Sequence, residues 1–425
     1  MLIAPAAPTL APPALATPVP RLAFIALALA ALASGVSMRL ADALLPRLAR
    51  EFGVSLGQAA QVVTVFAVAY GVAQMLFGPL GDRFGKYRVV GWACIASALA
   101  ALACGWVNSH AGLLLARALA GVSAAAVIPL AMAWIGDVVP YAQRQPVLAR
   151  FLIGQITGFG LGAWSGGFAA EHLDWRMPFF FAAALFALAG ALMQWVRAGQ
   201  AHAGAPLAAW GMASPPRQAG ASASFGAALA AMPGEFGAVL ARPWARAVVL
   251  AGLGEGATLY GAFPFIPAHL HHSLGLPLSS AGALVMLFAL GGLGFALGAH
   301  ALVRGLSQAQ LVRWGSLTVL AAMLVIAAAP VWWWALPAYP AMGLGFYMMH
   351  NTLQTQATQM APERRGAAVA LFAAGFFSGQ SLGVAAAGLA LDHIGTAGVL
   401  VAGGVGMVAV GWNFNRQRQG LAPEA

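Results

Sequence analysis

A few ionisable residues stand in stretches that are otherwise fit for hydrocarbon. Glu255 is the one charged residue of "VVLAGLGEGATLYGAF", Val248 to Phe263, and glycines flank it on both sides. Arg39 and Asp42 share "SMRLADALLP", Arg117 lies in "LLLARALAGVSAAA", and His350 lies in "GFYMMHNTLQTQATQM". An ionised group facing lipid costs several kcal/mol, so such residues face a cavity, pair, or change protonation state, and they mark substrate or proton pathways. Glu255 lies nine residues beyond Arg246, roughly 13 Å along a helix and close to the middle of a hydrocarbon core of about 30 Å. It reads as a proton or substrate site; the plainer alternative is a neutral acid hydrogen-bonded between helices. Asp42 has two candidate partners. Arg39, three residues earlier, can neutralise it on one helix face, and Arg117 can reach it across helices. Arg117 itself either pairs or snorkels to the headgroups. His350, Asn351 and Gln354 cluster over one turn, with His350 and Gln354 on one face, and His350 can titrate near neutral pH.

The elements that must position these groups are membrane helices. The 425 residues are 61% hydrophobic and 8% charged, against about 25% charged in soluble domains. Apolar runs long enough to span recur at 22–44, 58–80, 89–108, 111–136, 148–170, 177–196, 246–268, 280–302, 311–329, 332–359, 367–391 and 397–415. Lipid offers no hydrogen bonds, so the backbone must satisfy itself, and continuous rather than alternating apolar runs select helices over a barrel. The net charge of +10 follows topology. Alternate connections hold most of the basic residues, from Arg83 to Arg418, while the others hold chiefly Arg47, Arg50 and Arg176. That asymmetry puts the basic side and both termini in the cytoplasm. It argues against a nucleic-acid partner.

Residues 1–21 are Pro-rich without a basic n-region, which reads as a disordered cytoplasmic tail rather than a signal peptide. Residues 197–245 form a Gly/Ala/Ser/Pro-rich cytoplasmic linker, with a short interfacial helix expected over 225–240. The linker divides a six-helix bundle at 22–196 from another at 246–415, and 416–425 reads as a second tail. The bundles look alike. Pro46 pairs with Pro267, Gly78 with Gly298, Gly121 with Gly343 and Pro140 with Pro362, all at nearly one offset along the chain. Duplicated six-helix halves form a transporter architecture with the substrate site between them. Cys94 and Cys104 sit on one span too far apart to bridge. "HLHH", with His269, His271 and His272, reads as an outer loop; no metal site is expected. "WWW" at 332–334 reads as an interfacial aromatic belt. No catalytic constellation appears, and an enzyme is not expected.

The loop "GPLGDRFGKYR" resembles the G-x-x-x-D-R-x-G-x-x-R signature of the major facilitator superfamily, through Gly78, Asp82, Arg83, Gly85 and Arg88. By that resemblance it is a cytoplasmic gate loop: Asp82 latches near the start of the eleventh span, around Ala367, when the transporter opens outward. In the second half Leu302 stands where the acid would be. Arg117 and Gly121 match the R-x-x-x-G signature of the fourth span, whose arginine is linked in the family with proton coupling. Asp42 and Pro46 match the D-x-x-x-P pattern common among drug and sugar efflux members. Gly158, Gly162, Gly166 and Gly167 resemble the G-x-x-x-G-P-x-x-G-G antiporter signature, with Ala163 in place of Pro. Their spacing lets another helix come close, and Gly375, Gly379 and Gly383 repeat it on the eleventh span.

The resemblance implies the major facilitator fold, all-α with twelve transmembrane helices in two pseudo-symmetric bundles. It implies a monomeric secondary active transporter of the bacterial inner membrane, moving a small organic compound by alternating access, with proton-coupled export expected. Proton-coupled import and passive facilitation remain as alternatives. Glu255, Asp42, Arg117 and Arg39 are the coupling candidates. Tyr70, Gln74, Gln155, Tyr260, His350, Asn351, Gln354 and Gln380 are the cavity candidates. No cofactor is expected beyond a proton gradient.

Overall fold

The computed structural model describes residues 19–204, 206–208, 210–213 and 225–421. The tail expected over 1–21 lies largely outside these residues, as does part of the linker. Six spans make the first half: Arg21–Phe52, Leu56–Phe84, Lys86–Trp106, His110–Val138, Tyr141–His172 and Met177–His202. A separate helix, Phe225–Leu240, follows in the linker. The second half has Pro243–Leu274, Leu278–Gly305, Gln308–Ala328 and Ala335–Gln359. It closes with one long helix, Arg365–Leu421, broken at Gly395 (φ 66°) into an eleventh and a twelfth span. The twelfth span runs on to Leu421, past the end expected at 415. Two spans, the fifth and tenth, carry more polar residues than the rest, including Gln155 and the His350–Gln354 turn.

The duplication is visible in the backbone. The first span breaks into a 3-10 turn at Asp42–Leu44, and the seventh breaks at the equivalent place in the repeat, Phe263–Phe265. Both then run one short helix that ends on a left-handed glycine, Gly53 (φ 62°) and Gly275 (φ 65°). Glycine takes that conformation at no steric cost and frees the chain to turn. The short terminal helix of the seventh span contains the three histidines. They are therefore in the last helical turns and not in a loop. His269 is buried, with Nδ1 2.8 Å from the Thr396 hydroxyl and Nε2 3.2 Å from the Ile326 carbonyl oxygen. It ties the seventh span to the ninth and twelfth.

Within each half, small residues set the distance between helices. A Cβ on Gly158 or Gly162 would collide with the backbone of Leu32 or Val36 on the first span. Gly379 and Gly383 meet Leu253 and Ala257 on the seventh span in the same way. Gly375 touches Val249 more loosely, and Gly121 abuts the Phe66 carbonyl of the second span. Gly166 packs on Leu40, whereas Gly167 faces across to Leu278 in the other half. Hydrocarbon offers no hydrophobic drive between helices, so close backbone packing has to hold them.

The basic loops gather at one end of the bundle, here termed the basic end; the other is the distal end. At the basic end Gly85 (φ 89°) turns the chain between the second and third spans. Asp82 is mostly exposed and pairs with Lys86 at 3.6 Å, while Lys86 also reaches Asp137 at 2.6 Å. Arg83 lies over Phe84 and Arg88 over Trp92. Among the described residues Asp82 makes no hydrogen bond or ion pair with the start of the eleventh span, where Gly366 has open space around it. In this structure Asp82 pairs with Lys86 and not with the eleventh span.

Replacing Gly158 by Leu inserts a side chain where backbone already sits. Overpacking of this kind costs about 1–3 kcal/mol. The expected result is a lower melting midpoint of the purified protein in detergent, with Gly294→Leu, a position in open space, leaving it near wild type.

Candidate functional site

Glu255 is the last residue of the straight part of the seventh span; the next five, Gly256–Tyr260, form a π-helical turn. Such a turn widens the helix by one residue and often marks a functional site. Gly256 allows it here, since a Cβ would strike the Phe376 carbonyl of the eleventh span. The carboxylate is fully buried. Its Oε2 lies 2.8 Å from His350 Nδ1 on the tenth span, and its Oε1 has no hydrogen-bond partner among the described residues. The imidazole stacks on Phe346 at 4.8 Å between ring centroids and meets Phe376 edge-on at 5.0 Å. Phe372 stands 5.8 Å away. Two titratable groups therefore share one short hydrogen bond inside an aromatic enclosure. Either the imidazole N–H donates to a carboxylate or a carboxylic acid donates to the ring nitrogen. One proton added or removed changes the charge of the pair by one unit, with no lipid-facing group involved.

The second cluster belongs to the first span. Arg39 Nη1 donates to Asp42 Oδ2 at 3.3 Å, and both side chains are almost wholly buried. The guanidinium also lies over Tyr260 (4.3 Å to the centroid), Phe263 (5.1 Å) and Phe159 (5.6 Å). Cation–π contacts of this kind strengthen when water is excluded. Arg39 thus reaches from one half into the other. A narrow cleft there is lined by Arg39, Phe159, Tyr260, Phe288 and Tyr347 among others. Tyr260 joins the two clusters, since its ring packs edge-on against Phe346 and Phe376, which enclose His350.

Of the two partners open to Asp42, the structure selects Arg39. Arg117 is buried but takes other acceptors: Nη1 donates to the Ser37 carbonyl at 3.1 Å and Nε to the Val62 carbonyl at 3.2 Å. Its guanidinium lies 4.1 Å from the centre of the Phe66 ring. It does not snorkel. It binds the first, second and fourth spans together. Its Nη2 and the Asp42 Oδ1 are both without a hydrogen-bond partner among the described residues.

The remaining cavity candidates are scattered. Tyr70 is buried against Phe66 and, across the halves, against Phe377 at 4.6 Å. Gln74 and Gln155 are half-buried, and Gln380 is buried with its Oε1 unbonded. Asn351 and Gln354 are exposed and do not bond to the Glu255–His350 pair. The face of the tenth span therefore splits: His350 turns inward and the two amides do not. Sequence spacing could not foresee that Glu255 and His350, so far apart along the chain, would meet. The only signal was that each was an ionisable residue in an apolar run. No group of three or more metal-ligating side chains occurs among the described residues.

The match to known families decides what this architecture is. The profile of the Major Facilitator Superfamily matches residues 27–383. The chain belongs to the major facilitator superfamily. Its fold is shared with solved transporters. A bacterial homolog of the human lysosomal transporter Spinster, in an inward-facing and unoccupied conformation, superposes with a TM-score of 0.73 at 17% identity, covering 94% of this chain and 97% of that one. A POT family transporter superposes at 0.77 with 11% identity, covering 94% and 96%. Among curated relatives, the "Uncharacterized MFS-type transporter YceJ" of Bacillus subtilis is 26% identical over 83% of this chain and 85% of its own length. The "Multidrug export protein EmrB" of Escherichia coli is 32% identical over 37% of this chain, and that match spans only 30% of the relative. This major facilitator therefore has the multi-pass membrane fold of its family, and its buried charges are to be read in that light.

Removing one member of a buried ion pair leaves the other uncompensated, at a cost of about 3–5 kcal/mol, whereas replacing both by apolar groups is often neutral. Arg39→Leu is accordingly expected to destabilise this transporter strongly, and Arg39→Leu with Asp42→Leu to recover most of the loss. Thermal unfolding of the three proteins checks this; equal losses in the single and double variants would contradict the pairing.

Proposed function

We propose that the protein is a proton-coupled exporter of small organic compounds, and that Glu255 carries the coupled proton. The observation that supports this reading best is the buried Glu255–His350 pair. It is a hydrogen-bonded pair of titratable groups, linked to Arg39 through the rings around His350 and Tyr260. A proton can drive a conformational cycle only by binding one state better than another. A buried carboxylate bonded to an imidazole that Phe346, Phe372 and Phe376 surround meets that requirement, because opening the site to water changes the cost of its charge. Export is favoured by relatives named as a multidrug export protein, a puromycin resistance protein of Streptomyces alboniger and a probable efflux pump of Aspergillus flavus.

In this reading the basic end is cytoplasmic and both termini lie inside, a placement the charge asymmetry supports. The structure is then the inward-facing state, its distal end closed and its gate loop released. A monomer suffices, since both halves of the site come from one chain. The substrate is a neutral or weakly cationic amphiphile, suited to the aromatic walls and the few amides.

Transport into everted membrane vesicles with an acidic lumen tests the proposal, with puromycin and a panel of neutral and cationic amphiphiles as probes. Uptake is expected to collapse when the pH gradient is dissipated. Glu255→Gln is expected to lose uphill accumulation while keeping exchange of internal for external probe. Accumulation driven by the opposite gradient would show import. A wild-type pH profile in Glu255→Gln would remove Glu255 from the coupling role.

A further inference from the structure

The distal end is closed by two seams that the internal repeat relates to each other. In the first, a Cβ on Gly167 of the fifth span would collide with the Leu278 carbonyl of the eighth. In the second, Gly57 of the second span meets the Gly388 carbonyl of the eleventh. The repeat carries Gly167 onto Gly388 and Gly57 onto Leu278, by the same offset that relates Pro46 to Pro267. The same contact between halves is therefore made twice, once on each side of the pseudo-twofold axis.

The two seams differ at the helix start they contain. The second span caps itself: the Ser55 hydroxyl accepts from the Gln58 N–H at 3.1 Å, and the Gln58 side chain accepts from the Ser55 N–H at 2.9 Å. The eighth span begins after Pro277, which offers no side-chain cap. The first N–H groups of a helix need acceptors from outside the helix. Here Glu171, in the last turn of the fifth span and in the other half of the molecule, supplies one. Its Oε2 accepts from the Ser279 N–H at 3.1 Å and from the Ser279 hydroxyl at 2.5 Å. By the repeat, Glu171 corresponds to Asp392 and Ser279 to Gln58. Asp392 makes no hydrogen bond or ion pair among the described residues. Only one seam thus carries a cap shared between the halves.

We infer that Glu171 is the gating residue of the distal end: it caps the eighth span in trans while the Gly167–Leu278 seam is shut, and the cap is lost when the halves part there. The contact biases the molecule toward the distal-closed state without touching substrate. A carboxylate at a helix start is also favoured by the helix dipole, so the clasp is stronger than a neutral contact between the same two helices. The inference rests on the rocking of the halves, but not on the direction of transport or on the coupling proton.

Spin labels at Asn108 and Trp333, on distal surfaces of opposite halves, report the opening directly. Cys94 and Cys104 are replaced by Ala, and distances are measured by double electron–electron resonance in nanodiscs. The wild type should show a short and a long separation. Glu171→Ala is expected to raise the long-to-short ratio about fivefold, the usual effect of losing one helix cap. Glu171→Gln, whose amide oxygen can still accept both bonds, should stay within about twofold of wild type. Ser279→Ala in the Glu171→Ala background should add little further. An unchanged ratio in Glu171→Ala, with two separations seen in wild type, overturns the gating role. An equal rise in Glu171→Gln overturns the cap as its cause. A single separation in every protein overturns the rocking of the halves and the clasp with it, whatever the pH dependence of Glu255→Gln.

Discussion

A charge in the middle of a bilayer has to be compensated by protein, because lipid cannot do it. This constraint orders the interior of the molecule. Asp42 takes Arg39, Arg117 takes two carbonyls and the Phe66 ring, and Glu255 takes His350. Each solution needs partners from more than one helix, or a helix broken at the right place. The 3-10 turn at Asp42–Leu44 and the π turn at Gly256–Tyr260 stand beside the two acids. Irregular backbone is tolerated at membrane depth only where protein surrounds it. The enclosure that compensates the charges also shelters the breaks.

The compensation is unequal in the two halves, and the proposed function draws on that inequality. The first half neutralises its charges largely within itself. The second half holds one acid against one imidazole, a pair whose total charge changes with a single proton. Tyr260 lies between the two arrangements, touching Arg39 on one side and the rings around His350 on the other. In the proposed function, a change of protonation at Glu255 is passed through these rings to the boundary between the halves. The glycine seams let backbones touch without interlocking side chains, so the halves can separate along them without side chains having to disengage.

Much of this was legible in the sequence. The spans, the duplication, the family's loop motif and the identity of the buried ionisable residues follow from apolar runs, a shared offset between landmarks, and short motifs. What the sequence misread or left open had a physical reason in each case. The three histidines looked like a loop because polar residues follow Pro267, yet the helix continues to Leu274 and turns only at Gly275. The Asp82 latch was expected only when the molecule opens outward, and a sequence holds no conformational state. Arg117 and Asp42 look like partners by depth alone; Arg39 wins because it precedes Asp42 on the same span, while Arg117 finds carbonyls closer by. Glu171 gave no signal, since an acid at a helix end near the surface is ordinary until the uncapped start of another helix is laid against it.

The sequence by itself determined the solvent of this protein, its helical architecture, its two-fold internal repeat and the cost of each buried charge. These depend on residue type and on order along one chain. The tertiary structure alone decided the pairings: that Glu255 faces His350, that Arg39 crosses to Tyr260, and that Glu171 caps a helix in the other half. Each joins residues remote from one another along the chain, and separation in sequence carries no information about which of them will meet. They follow from how glycine-lined helices pack, and packing is a property of the assembled bundle.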